Sequence, residues 1–309
     1  MEGKSFFEWH DVFFQYVGFL SSFAMLGAIG FRYGVLRTRD FAPDISCANS
    51  FRAASARAAA IGFIGVLLGV VSIVVSLLKR AESKHTTLAQ AFTAGGITVL
   101  AQTLLLAALL VLFILAWRRI SLAWPAAAAA TLAFALRNVL NGNLKGMVNP
   151  LHVLGASLWI GTLFVLVVCG VDQMLRASVP VAERESAVAE MVHRFSIVAL
   201  CSAGLLGITG LITAWNHLNP LAALWTTPYG YVLIAKLCVV AIVAALGAWN
   251  WRRVGPSLGK DGGARAIRRS ASIELAFAAV VLALTAILVS VSSPKSPPTP
   301  VAVDATGMT

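Results

Sequence analysis

The sequence predicts an all-α polytopic membrane protein with about eight transmembrane helices in one bundle, and three observations carry that reading. Of 309 residues, 59% are apolar and 12% charged, with a mean hydropathy of +0.83. A soluble chain holds about twice that charged share, and no water-facing fold of this size buries so much apolar surface, so much of it faces lipid. The apolar residues also gather into eight segments close to the length that crosses a bilayer. Finally, the basic residues are distributed unequally between alternate loops. Disorder, coiled coil, collagen and a small disulfide scaffold are excluded by the same composition. The four cysteines form no C-x-x-C pair, so neither a disulfide framework nor a zinc site is expected.

The segments run over roughly 12–35, 58–78, 92–116, 121–140, 151–175, 195–217, 229–250 and 270–292. The fourth is the weakest, with Pro125, a run of alanines and then Arg137. They divide into an N-terminal half over 1–149 and a second four-helix half over 150–292, with a Pro-, Ser- and Thr-rich tail expected to be disordered over 293–309. The first segment follows Glu2, Glu8 and Asp11 without a basic region or cleavage site, so it reads as a retained span and not as a signal peptide.

A net charge of +11 resembles a nucleic-acid signal, but in a membrane chain basic loops that fix orientation and meet lipid headgroups explain it, and no nucleic acid is expected. With the N-terminus outside, sixteen Lys and Arg fall at inside ends, seven fall outside, and Lys236 lies within a span. That asymmetry places both termini outside. Lys79, Arg80 and Lys84 form a local conflict. Small residues at helix-packing spacing (Gly30 with Gly34, Gly65 with Gly69, Ala203 with Gly207, and the ridge Gly204, Gly207, Gly210) predict close helix contacts. No phosphate loop, Ser-His-Asp set or Glu-x-x-His arrangement occurs, so no enzyme is expected.

The orientation sorts the five histidines: His10, His85, His152 and His217 outside, His193 inside. Imidazole suits copper, zinc, iron and nickel, and thioethers favour Cu(I). Met147 lies five residues before His152, and Met25 lies within the first span. At helical spacing His152, Gly155, Ala156 and Trp159 share one face, Thr209, Gly210, Thr213 and His217 a second, and His10, Phe14, Gly18, Ser21 and Met25 a third. Polar faces within spans turn inward, so an outward-open metal site is expected from His152, His217, His10 and Met147. The alternative is that each histidine is interfacial and bonded to a nearby carbonyl.

Lys236, seven residues past Tyr229 and on its face, is an intramembrane cation and a candidate functional residue. Snorkelling to the headgroups is its alternative role, and Glu274 is the nearest acid on sequence grounds. Cys169, Cys201 and Cys238 lie within spans, either as small packed residues or as a soft path for Cu(I).

Several stretches of the second half resemble one family. They are His152-Val-Leu-Gly155-Ala-Ser-Leu-Trp159-Ile-Gly161, Arg194-Phe195-Ser196, Thr209-Gly210 through Ala214-Trp215, Leu224-Trp225-Thr226-Thr227-Pro228-Tyr229-Gly230 and then Lys236. Over roughly residues 150–292 the chain resembles the copper resistance protein CopD (PcoD-like) membrane family. The resemblance implies a bacterial inner (plasma) membrane protein in copper transport, resistance or homeostasis, which makes the outer side, with both termini, periplasmic. It also implies a small periplasmic CopC-like copper-binding protein as partner. A copper permease with an entry site at His152 is one expectation. A b-type haem electron carrier, ligated by His152 and His217, is the other.

Overall fold

In hydrocarbon a backbone has no water to pair with, so a long apolar run satisfies its own N–H and C=O groups by coiling. A computed structural model describes residues 9–36, 45–137, 144–217, 223–254, 259–260 and 262–290, and every regular element among them is helical. The chain is an all-α polytopic membrane protein. The tail expected over 293–309 lies outside the described residues.

Helix α1 (Trp9–Gly30) continues as a π-helical turn over Phe31–Leu36, and α2 (Ile45–Ser83) returns antiparallel to it. The short α3 (Leu88–Ala94) opens with a capping box: the Gln90 amide donates to the Thr87 hydroxyl (3.3 Å) and the Thr87 amide to the Gln90 side chain (3.0 Å). Helices α4 (Gly96–Trp117) and α5 (Ala123–Leu136) follow. The fifth span is one long path: α6 (Leu144–Ala156), a π turn over Ser157–Gly161, α7 (Thr162–Val165), a second π turn over Leu166–Val171, and α8 (Asp172–Arg176). Helix α9 (Val181–His217), α10 (Ala223–Thr226), α11 (Pro228–Trp249, extended by a π turn over Asn250–Val254) and α12 (Gly263–Ser290) complete the chain.

Among the described residues seven helices are long and apolar enough to cross a membrane. The expected fourth segment differs: α5 has 14 residues, about 21 Å of helix against a core of about 30 Å. Its position comes from packing at its first turn. Trp124 meets Phe113 of α4 edge-on at 6.3 Å between centroids and lies under the Arg32 guanidinium at 5.8 Å.

The buried core is centred on the second half of α1, with α2, α4, α5, the fifth span, the first turns of α9 and the start of α12 around it. Small residues permit this crowding. A Cβ at Gly65 would lie 2.8 Å from Ala24, and one at Gly69 2.9 Å from the Ser21 hydroxyl, which itself donates to the Gly65 carbonyl (2.8 Å). The expected ridge on α9 does not pack in this way, since Gly204 and Gly207 face open space.

Polar contacts sort the helix ends. At one end Lys79 of α2 pairs with Asp11 of α1 and lies 5.4 Å from the Phe14 ring. The carboxylate accounts locally for Lys79, one of the three basic residues that conflicted with the charge pattern. At the other end Asp172 accepts from Arg57 of α2 (3.3 Å), Arg176 of its own helix (2.9 Å) and Arg268 of α12 (3.5 Å). Buried Glu185 of α9 accepts from the Ala264 amide (2.7 Å), capping the first turn of α12. The second end is the arginine-rich one.

Candidate functional site

The site is built where α6 meets α9, at the end of the bundle opposite the arginines. Gly155 lets the two helices approach: a Cβ there would lie 3.3 Å from the Leu206 side chain and 3.4 Å from the Ser202 carbonyl. One turn earlier, His152 reaches across to α9, with Nδ1 3.0 Å from Thr209 Oγ1. A Cβ at Gly210 would touch the same ring at Cε1, 3.5 Å away.

The direction of that hydrogen bond follows from the threonine. Buried Thr209 donates its single hydroxyl proton to the Leu205 carbonyl at 2.6 Å. Towards His152 its oxygen therefore offers lone pairs, and Nδ1 carries the hydrogen and donates. The Nε2 atom is left with a lone pair, the form in which a neutral imidazole binds a metal. Thr209 is the residue that reading the sequence placed on the right face without assigning it a partner.

The other expected residues are placed as follows. Met147 is half-buried on α6, five residues before His152 and so about 7.5 Å along the helix. His10 is exposed at the start of α1, with Nε2 3.7 Å from Asp11. His217 ends α9, but its side chain lies outside the described residues. Lys236, half-buried on α11, lies within electrostatic reach of His152. Tyr229 is buried in the first turn of α11. That turn is built by the motif read from the sequence: the Thr227 hydroxyl accepts from the Gly230 amide (3.1 Å) and Pro228 occupies the first helical position, where its missing N–H costs nothing.

Trp159 lies within the π turn that begins at Ser157 and lines a cavity of about 910 Å³ between the fifth span, α9, α11 and α12, whose walls include neither His152 nor Thr209. His193, Asn250 and Glu274 line the same cavity. Glu274 takes a hydrogen bond from Asn250 (3.1 Å), which in turn accepts from Ser270. The acid considered for Lys236 is thus paired elsewhere, beside a residue fourteen positions further along α11, or about 21 Å of helix. Cys169 is fully buried, while Cys201 and Cys238 lie exposed on α9 and α11. Among the described residues no three His, Cys, Asp or Glu side chains are gathered as a metal site.

Comparison with known proteins places the second half. The family model described as Copper resistance protein D, CopD, matches residues 189–288. The copper transport protein CutJ of Bacillus subtilis (strain 168) is 28% identical over 153 residues, 48% of this chain. The chain spans about a quarter of the length of that curated relative. No solved structure matches. The likeness to the CopD family is borne out over residues 189–288, which hold the stretches read from Arg194 to Lys236, while the stretch from His152 to Gly161 lies before that match.

Proposed function

We propose that this chain transports copper ions across a bacterial inner membrane in copper resistance or homeostasis, and that copper enters at His152. The match to CopD and the likeness to a copper transport protein support the cargo. The observation that supports the entry site is the pairing of His152 Nδ1 with Thr209, which leaves Nε2 as the metal-facing atom. The arginine-rich end is cytoplasmic by the positive-inside rule, so His152 faces the periplasm, where a CopC-like protein delivers copper. His217, on the following span, supplies the second ligand. Met147 or His10 completes a low-coordinate soft site. Lys236, a cation beside a cation site, orders an anionic ligand that arrives with the metal, because like charges repel strongly where the dielectric is low.

The test is copper accumulation in cells that carry His152→Ala at normal membrane level. Accumulation should fall to the level of cells lacking the protein. His217→Ala should lower it less completely, and His193→Ala, on the far side of the bundle, least. Normal copper handling by the His152 variant overturns the site.

A further inference from the structure

A second cavity lies at the arginine-rich end, outside the copper path. It encloses about 950 Å³ between the end of the fifth span and the first turns of α12. Arg265, Arg268, Arg269 and Ser272 recur at i, i+3, i+4 and i+7 on one face of α12, and Arg176 of α8 faces them across the cavity. Four guanidiniums thus surround one carboxylate, Asp172, leaving three net positive charges. That carboxylate is already shared: Arg57 and Arg176 hold Oδ2 and Arg268 holds Oδ1. Arg265 and Arg269 pair with no carboxylate among the described residues, so their charge is directed at something else.

The same helix face then changes character. One and two turns beyond Arg269 it presents exposed Ile273 and Ala276, which with Leu175 form the apolar wall of the cavity. The opposite face of α12, with Ala264, Ile267, Ala271 and Glu274, is buried in the bundle. A stripe that begins with guanidinium groups and ends with exposed apolar side chains has the polarity of a single phospholipid, phosphate at the headgroup level and acyl chain along the helix. Basic pockets between spans hold anionic headgroups in this way. A soluble phosphate would use the arginines and leave the apolar wall without a role.

We propose that this cavity binds an anionic phospholipid of the adjoining leaflet, with Arg265 and Arg269 on its phosphate and Ile273 and Ala276 along its acyl chain. The purified full chain in neutral detergent is titrated with phosphatidylglycerol, phosphatidylcholine and inorganic phosphate, and bound lipid is read by native mass spectrometry. Phosphatidylglycerol should be retained and phosphatidylcholine not. Each guanidinium removed near an anionic headgroup weakens binding about fivefold, so Arg265→Gln with Arg269→Gln should weaken it about 25-fold. Arg118→Gln with Arg119→Gln, an equal charge change on exposed residues outside the cavity, should leave it within about twofold. If the double variant does not reach the membrane, Arg269→Gln alone, expected at about fivefold, decides in its place. Equal retention of phosphatidylcholine, competition by inorganic phosphate at matched concentration, or unchanged binding in the arginine variants each overturns the assignment.

Discussion

Gly27 of α1 and Gly161 of the fifth span cross backbone to backbone: a Cβ built on Gly27 would lie 2.7 Å from Gly161 Cα, and one on Gly161 3.0 Å from Gly27 Cα. Neither neighbour is a side-chain end that can swing away. Gly→Ala in a helix gains about 1 kcal/mol of propensity, but overpacking against backbone costs about 1–3 kcal/mol, so the steric effect decides the sign. Gly27→Ala and Gly161→Ala are each expected to lower thermal stability in detergent, and the larger Gly27→Leu to remove the protein from the membrane. Gly204→Ala, in open space on α9, should be neutral or stabilising. Thermal unfolding of the three alanine variants checks the order.

The Thr209 hydroxyl decides which nitrogen of His152 carries hydrogen. Thr209→Val keeps the shape and removes the acceptor, so the ring loses both orientation and tautomer. Losses at such supporting positions are about 10–100-fold in metal affinity or activity. Copper uptake should fall within that range in Thr209→Val and be restored in Thr209→Ser. Equal uptake in Val and Ser variants shows that the hydrogen bond has no role in transport.

Lys236→Met retains length and apolar packing while removing the charge. If the ammonium orders an anionic ligand, copper-dependent growth should be lost at an unchanged protein level. Lys236→Arg should keep part of the function, since the charge persists in a different geometry. A methionine variant indistinguishable from wild type would show the lysine to be merely snorkelling.

A reporter fused at Gly262, between α11 and α12, should be active only as a cytoplasmic reporter, and one at the C-terminus only as a periplasmic reporter. An active periplasmic reporter at Gly262 inverts the orientation and moves His152 to the other side. The structure already brings Arg57, Asp172 and Arg268 to one end and Asp11 and Lys79 to the other, so a single fusion point assigns both groups.

Hydropathy reveals the part of a helix that crosses lipid and not where that helix stops. The sequence therefore begins the second span at 58 and the sixth at 195, whereas α2 starts at Ile45 and α9 at Val181. The added turns carry Arg52, Arg57, Glu185 and Arg194, polar residues that a window tuned to lipid rejects although they continue the coil. The polar faces that carry His152 and Thr209 were legible but their pairing was not: the sequence joined His152 to His217, which lies eight residues, about 12 Å of helix, past Thr209. The Asp172 cluster was not legible either, since its partners lie 115 and 96 positions away, and one carboxylate closing an apolar span gives no sign of which arginines will come to it. The surroundings of Trp159 were hidden for a different reason: counting by 3.6 residues assumes an unbroken α-helix, and the turn from Ser157 to Gly161 is wider.

The two wide turns of the fifth span are places where the helix stores surplus chain. A π turn accommodates an extra residue locally, so the helix on either side keeps its facing. Removing one residue from Leu166–Val171 should therefore tighten that stretch to an ordinary α-helix and leave His152 and Asp172 aimed as before. The same deletion within Thr162–Val165, already α-helical, has no slack to take up and would turn one end of the span against the other by about 100°. In a homologue whose fifth span is one residue shorter, the missing residue should align with Leu166–Val171 or Ser157–Gly161, the two segments where length can change without moving either end of the path.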